Sequence, residues 1–257
     1  MTLEEVAVEA AHAAAAILAV KKVSGVRNKG AVDLVTEVDL ACEAAIREVL
    51  GRHTPDIPVL GEEGGGAVGA TTRWVVDPLD GTTNFVHGFP FYNVSVGLEV
   101  DGVPTVGVVV DAVRHRTYRG TRGRGATVEG GPLRTSDVRT LDEALFSTGF
   151  PYDRRQKAAF YLRIVQRVLE RGQGVRRAGA AALDLAILAE GHVDAYWEFG
   201  LRPWDTMAGF VLVTESGGRI SPIPGYPLTD PVCAIVTNPW LHDEVVALIG
   251  EALKEGT

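Results

Sequence analysis

Cysteine is scarce in this chain: Cys42 and Cys233 are the only two among 257 residues. Two thiols so far apart give neither a metal-ligand spacing nor a disulfide framework, so a reducing compartment, the cytoplasm, is the expectation. Long apolar runs are missing too. The alanine-rich stretch 10–20 is broken by His12, is shorter than the roughly 20 residues that span a bilayer, and follows Glu4 and Glu5 where a signal peptide would carry positive charge. No membrane segment or leader is therefore expected. Positive charge is the third shortage. With 25 Lys and Arg against 33 Asp and Glu, the formal charge is -8, and such a chain is a poor candidate for a dedicated nucleic-acid binder, whose affinity comes largely from neutralising phosphates.

What is present is an ordinary globular composition, 46% apolar and 23% charged. The length is near that at which one core divides, so two closely packed subdomains are expected, residues 1–138 and 139–257. The first begins with an amphipathic helix over 3–20, then a loop or loosely paired hairpin ending near Lys29. A helix follows within 33–50, with Thr36 and Asp39 spaced as a variant capping box. Strands are expected at 57–60, 74–77, 93–100 and 103–110, the last two joined by an Asp101-Gly102 turn. The basic stretch 114–125 reads as the solvated face of an edge hairpin or as a grip for RNA or a phosphorylated ligand. The second subdomain alternates: helices over 158–171, 181–190 and 204–216, strands at 175–177, 193–197 and 232–236, and a last helix started by Asn238-Pro239.

One stretch concentrates chemistry. Residues 74–85 read Trp-Val-Val-Asp-Pro-Leu-Asp-Gly-Thr-Thr-Asn-Phe, a buried strand that ends in two carboxylates and a small-residue turn. Pro78 fixes φ and turns the chain, which lets Asp77, Asp80 and the Leu79 carbonyl converge. Oxygen donors of this kind suit Mg²⁺ rather than zinc or copper. The same residues also suit a plain turn. Glu62 and Glu63 follow the strand at 57–60 and read either as solvated charges, the commoner case, or as a source of a third ligand; if the two strands pair in one sheet, Glu62 and Asp77 end near the same edge. Asp205 and Asp39 each suit a helix cap.

Taken together, Asp33-Leu-Val-Thr-Glu-Val-Asp39, Gly61-Glu62-Glu63, the 77–85 segment and Trp204-Asp205-x-x-Ala-Gly209 resemble, in this order, the inositol monophosphatase family. Arg176-Arg177-Ala-Gly-Ala-Ala-Ala-Leu-Asp-Leu and Asp194-Ala-Tyr-Trp-Glu198 resemble its bacterial branch. The resemblance implies an α+β fold layered αβαβα, dependence on Mg²⁺ and a homodimer. By position, Glu62, Asp77, the Leu79 carbonyl, Asp80 and Asp205 would hold two or three ions. Thr82, paired with Asp39, and Glu62 would activate the attacking water. The Gly81 and Thr82 amides would hold the phosphate, and Glu198, Asp205 and the Gly179, Ala180, Ala181 segment would face the alcohol. Lys29 sits in the loop that would close over the metals. Ala180 stands where relatives often carry Ser or Thr, which removes one hydroxyl contact.

The implied activity is direct in-line hydrolysis of a phosphate monoester, with inositol-1-phosphate first and fructose 1,6-bisphosphate, histidinol phosphate or a phosphorylated nucleotide as alternatives. Covalent routes fail on spacing. Asp77 and Asp80 are three apart, not two as in Asp-x-Asp-x-Thr enzymes; Cys42 and Arg47 are one residue short of Cys-x₅-Arg; and no P-loop is present. A reading from another class is a binding protein that uses the 114–124 stretch for RNA or a protein partner.

Overall fold

The computed structural model describes residues 1–20, 27–28 and 34–254; Lys29 lies outside them. Helix α1 (Leu3–Val20) buries Val6, Ala10, Ala14 and Leu18, one face at i, i+4 spacing. After it, β1 (Arg27–Asn28) pairs antiparallel with β2 (Leu34–Val35). Helix α2 (Glu37–His53) starts at the expected capping box: the Thr36 hydroxyl accepts from the Val38 N–H at 3.1 Å, and Asp39 accepts the Thr36 N–H at 2.8 Å. Its buried face carries Val38, Cys42, Ile46 and Val49, and also a charged residue, Glu43.

The first sheet runs in chain order: β3 (Val59–Gly61), β4 (Arg73–Asp80), then, after the short helix α3 (Thr82–His87), β5 (Asn93–Val100), β6 (Val103–Asp111), β7 (Arg116–Thr121), β8 (Ala126–Val128) and β9 (Gly131–Pro132). Only β3 and β4 are parallel; the rest is an antiparallel meander. The Asp101-Gly102 turn has both residues at positive φ, 52° and 76°, the conformation that a tight hairpin requires. The basic stretch is not an edge. β7 lies between β6 and β8, and arginines of the stretch are paired: Arg114, in the turn before β7, with Asp111 at 2.8 Å, Arg116 with Glu190 at 2.5 Å and Arg119 with Glu4 at 3.6 Å. Arg122 and Arg124 are exposed in the turn that follows.

The second half supplies β10 (Leu145–Thr148), α4 (Arg154–Arg171), β11 (Gly174–Arg176), α5 (Ala181–Ala189), β12 (Ala195–Leu201), α6 (Pro203–Glu215), β13 (Arg219–Pro222), β14 (Val232–Thr237) and α7 (His242–Lys254). The strands form a mixed sheet ordered β11-β10-β12-β14-β13. Sequence pattern missed β10 and β13. It also started the last helix too early: the Asn238 side chain accepts from the Trp240 and Leu241 N–H groups at 3.1 and 3.0 Å, and the helix begins at His242. A side chain that caps a turn two residues on and one that caps a helix look alike in sequence. On α4 the buried face is Tyr161, Ile164 and Val168, with Tyr161 in the place expected for Phe160.

Three apolar layers hold these elements in the order αβαβα. Helices α1 and α2 cover one face of the first sheet, meeting Val106, Val108 and Val110 of β6. The opposite face meets α5 and α6, which in turn meet Tyr196, Ala234 and Val236 of the second sheet. The far face of that sheet presents Trp197, Phe199, Cys233 and Ile235 to α4 and α7. Alternation along each strand feeds both layers, as a sheet covered on both faces demands. Each large aliphatic or aromatic residue so buried contributes about 1.5–3 kcal/mol.

Helix α6 lies especially close to the first sheet. Gly97, Gly107 and Gly120 are register neighbours across β5, β6 and β7. A Cβ at Gly107 would stand 2.3 Å from the Ala208 carbonyl oxygen, and one at Gly97 would stand 2.5 Å from Met207. Side chains at these positions would lift the helix off the sheet.

Candidate active site

The carboxylates of the 74–85 stretch share a side because β4 is irregular. In a regular strand residues 77 and 80 would project to opposite faces. Here Asp77 is paired with Ser95 and Asp80 with Asn93, so three steps on β4 oppose two on β5 and the extra residue resets the parity. Pro78, which has no N–H to donate, sits within that bulge. Asp77, Leu79 and Asp80 then all line one cleft of about 160 Å³.

Each other wall arrives on its own element. Glu62 follows β3, whose parallel pairing with β4 sets Gly61 opposite Val76, and the Glu62 N–H donates to the Val76 carbonyl at 3.2 Å. Asp205 is the third residue of α6 and accepts the Arg202 N–H at 2.7 Å, so it caps that helix. The Ser95 hydroxyl, opposite Asp77 in register, reaches the Trp204 carbonyl at 3.3 Å and ties the start of α6 to the strand beside Asp77. Glu198, from β12, packs on Gly149, where a Cβ would stand 2.1 Å from its carboxylate oxygens. Gly179, Ala180 and Ala181 complete the wall at the start of α5. All these sequence-selected residues are lining residues except Asp39, which stands behind: the Thr82 hydroxyl is 3.0 Å from Asp39 Oδ1 and 3.1 Å from the Leu79 carbonyl.

Gly81 joins β4 to α3 at φ 94°, a left-handed conformation. A Cβ there would also meet the Phe91 carbonyl at 3.0 Å and Ala180 Cβ at 3.2 Å. The first N–H groups of a helix have no acceptor within it, which makes the Gly81–Thr82 turn at the start of α3 a candidate place for an anion.

The electrostatics are those of crowded, buried acids. Burial first, then the charges of Glu62, Asp80 and Asp205, push the Asp77 carboxyl well above the usual carboxylate range. Burial raises Asp80 to about 6 against the hydrogen bonds it accepts, from Asn93 Nδ2 at 2.7 Å and from the Ala182 and Ala181 N–H groups at 2.8 and 3.2 Å. Asp205 is raised chiefly by burial, and Glu198 is raised by burial to about 7, with Tyr196 and Arg177 opposing. Among the described residues, the hydrogen bonds that Asp77, Asp80 and Asp205 accept all come from neutral N–H groups. No three His, Cys, Asp or Glu of the described residues form a compact ready-made cluster; the four acids stand around the cleft. Such an all-oxygen donor set, rich in carboxylates, fits a hard divalent cation.

Sequence reasoning missed several cleft residues. Phe150, Tyr152 and Arg154 line the outer wall with Arg177. Asp184 of α5, 4% exposed, has its carboxyl raised by burial, then by Glu198 and Asp80. A lone acid in the otherwise apolar helix 181–189 was the available signal. Beyond Pro151, Phe199 and Gly200 opens a second, apolar cavity of about 480 Å³, which contains none of the four acids.

Comparison with known proteins places the whole chain among relatives of one kind. Nus factor SuhB of Pseudomonas aeruginosa is 45% identical over 209 residues, 79% of this chain and 77% of its own. Inositol-1-monophosphatase of Synechocystis is 42% identical over 228 residues, 87% and 79% of the two chains. The crystal structure of extragenic suppressor protein suhB from Bartonella henselae superposes with a TM-score of 0.90 at 33% identity, over 98% of each chain. That of inositol monophosphatase from Anabaena gives 0.86 at 38%, over 97% and 95%. A family model covers residues 1–254, and by that match the chain belongs to the inositol monophosphatase family.

Proposed function

We propose that the protein is a Mg²⁺-dependent phosphomonoesterase acting on a small polyol phosphate, with inositol-1-phosphate as the first candidate. The observation that carries this reading is the convergence of Glu62 after β3, Asp77 and Asp80 of β4, and Asp205 of α6 onto one cleft, beside the Thr82–Asp39 pair. Phosphate monoesters are dianions that repel a nucleophile. Glu62, Asp77, the Leu79 carbonyl, Asp80 and Asp205 would hold two or three ions, which would neutralise the ester and acidify water at the site.

The chain's own groups do the rest. The Thr82 hydroxyl has one proton, which it gives to Asp39 or to the Leu79 carbonyl, and its oxygen is left to accept from an attacking water. Glu62 faces the same cleft and is a second acceptor. The Gly81 and Thr82 amides orient the phosphate, and Glu198, accepting Tyr196 O–H at its inner oxygen, presents the other to substrate hydroxyls. No nucleophilic side chain is required, so water attacks phosphorus directly and no phosphoenzyme forms. Phosphate release from a panel of sugar, histidinol and nucleotide monoesters tests the reading. Asp77→Asn and Asp205→Asn are each expected to lower kcat/KM by about a thousandfold, several kcal/mol of lost charge stabilisation. An intact wild-type fold with no activity on any monoester would end the enzyme reading.

A second reading follows from the relatives named Nus factor SuhB: a binding role separate from hydrolysis. Its surface would be the exposed Arg122 and Arg124, since Arg114, Arg116 and Arg119 are neutralised by acids. RNA binding lost in the Arg122→Ala, Arg124→Ala double variant would support it. The reading further includes a cytoplasmic homodimer, checked by sedimentation; both thiols, Cys42 and Cys233, are buried.

A further inference from the structure

We infer that Glu43 and Arg47 of α2 are positioning residues for Glu62 and set the cleft's affinity for divalent cations. The inference rests on the reading of Glu62 as an ion ligand. Glu43 is 4% exposed and occupies the core-facing side of α2, among Cys42, Ile46 and Val49. A carboxylate so placed needs partners, and it finds them in the backbone of the turn after β3. One oxygen accepts the Glu63 N–H at 2.8 Å; the other accepts the Gly64 N–H at 2.9 Å and Arg47 Nε at 2.7 Å.

Arg47 spans the same turn from outside. Its guanidinium donates to the Val59 carbonyl at 3.3 Å and to the Gly65 carbonyl at 2.8 Å, one on each side of Glu62. The turn closes on itself, with Gly61 and Gly65 exchanging N–H···O bonds of 3.1 and 3.0 Å. Glu62 is the first residue inside that ring. The fit leaves no slack: a Cβ at Gly61 or at Gly64 would stand 2.5 Å from Glu43 Oε1.

This arrangement answers a physical problem of the cleft. Asp77, Asp80 and Asp205 repel a fourth carboxylate, so a loosely held turn would swing Glu62 toward solvent whenever no ion is bound. A turn tied at residues 59, 63, 64 and 65 keeps Glu62 in place before the ion arrives. Affinity is then not spent on ordering the ligand.

The experiment measures Mg²⁺ binding to the full chain by calorimetry, metal-free Tm, and phosphate release against Mg²⁺ concentration. Glu43→Gln keeps the size but turns an NH₂ toward N–H donors and removes the charge facing Arg47. It should weaken Mg²⁺ binding 10–100-fold, about the effect of removing an outer partner of a metal ligand, and leave kcat at saturating Mg²⁺ within a few-fold. Arg47→Gln, whose side chain is 33% exposed and so is expected to leave folding intact, should weaken binding in the same direction. Arg52→Gln, on the same helix but paired with Glu9 and Glu48, should leave it unchanged. A lowered Tm with Mg²⁺ affinity unchanged within twofold in both Glu43→Gln and Arg47→Gln would make these residues merely structural and overturn the inference. Wild-type protein that takes up no Mg²⁺ would instead overturn the reading of the cleft, and this inference with it.

Discussion

Asp39 serves two neighbours at once, and the two services can be separated by substitution. It accepts the Thr36 N–H as the reciprocal half of the α2 cap, and its other oxygen accepts from Thr82 at the cleft. Thr36→Ala removes the cap's hydroxyl and its bond to Asp39 Oδ2, but keeps the Thr36 N–H on Oδ2 and the Thr82 hydroxyl on Oδ1, so it should cost about 1 kcal/mol of stability and leave kcat/KM nearly unchanged. Thr82→Ala should leave Tm almost where it was and lower kcat by about a hundredfold, the lower range for a lost proton acceptor. Denaturant melts and steady-state rates on the two variants check the split; equal activity losses would mean that Asp39 acts only through the helix. The capping box was legible in the sequence because it is local. Glu43 was not legible, because Glu and Arg at i, i+4 also describe a solvated helix face, and only the turn packed against α2 shows otherwise.

Helix α6 carries Asp205 to the cleft, and its height over the first sheet is set by glycine. Gly107→Ala would place a methyl 2.3 Å from the Ala208 carbonyl oxygen. Backbone is the obstacle, so the helix must shift: a stability loss of about 1–3 kcal/mol, in the range of overpacked cores, together with reduced kcat as Asp205 moves, is the expected outcome. Calorimetry and steady-state kinetics on one preparation would check it, and unchanged values would show that the helix has room. The helix itself was readable from Pro203 and the apolar run behind it. Its seat was not, since isolated glycines in strands announce a close approach without saying of what. Strand β10 escaped for a related reason: its four residues, Leu145–Thr148, are too few for periodicity to distinguish a buried strand from a helix turn or a loop.

At the scale of the molecule the cleft is a reservoir of unfavourable charge. Asp80 and Glu198 titrate near 6 and 7 in the folded chain against ordinary values of 3.8 and 4.5, so the folded state holds protons that the unfolded state releases. Their contribution is complete below about pH 4 and is lost as pH rises through 6 and 7. Asp77 and Asp205 shift in the same direction. Glu190 acts oppositely: burial would raise it, but Arg116 and Tyr118 outweigh that and lower it, so its share is lost in acid. Metal-free protein should therefore lose Tm between about pH 5 and 8, and Mg²⁺ at 100 times its Kd should return about 2.7 kcal/mol at the upper end. A scanning-calorimetry series with and without Mg²⁺ reads both; a metal-free Tm that rises across that window would contradict the charge accounting. The sequence alone determined the local parts: the amphipathic helices, the hairpin with its Asp-Gly turn, the capping box, and the order of carboxylate motifs that marks the family. Only the tertiary structure decided that Asp205 meets Asp80 across 125 residues of chain, that a bulge brings Asp77 and Asp80 to one side, and that Glu43 lies under Glu62. Local pattern records what a residue does to its own helix or strand, whereas these meetings depend on how separate elements pack, a contact energy that no single stretch of sequence contains.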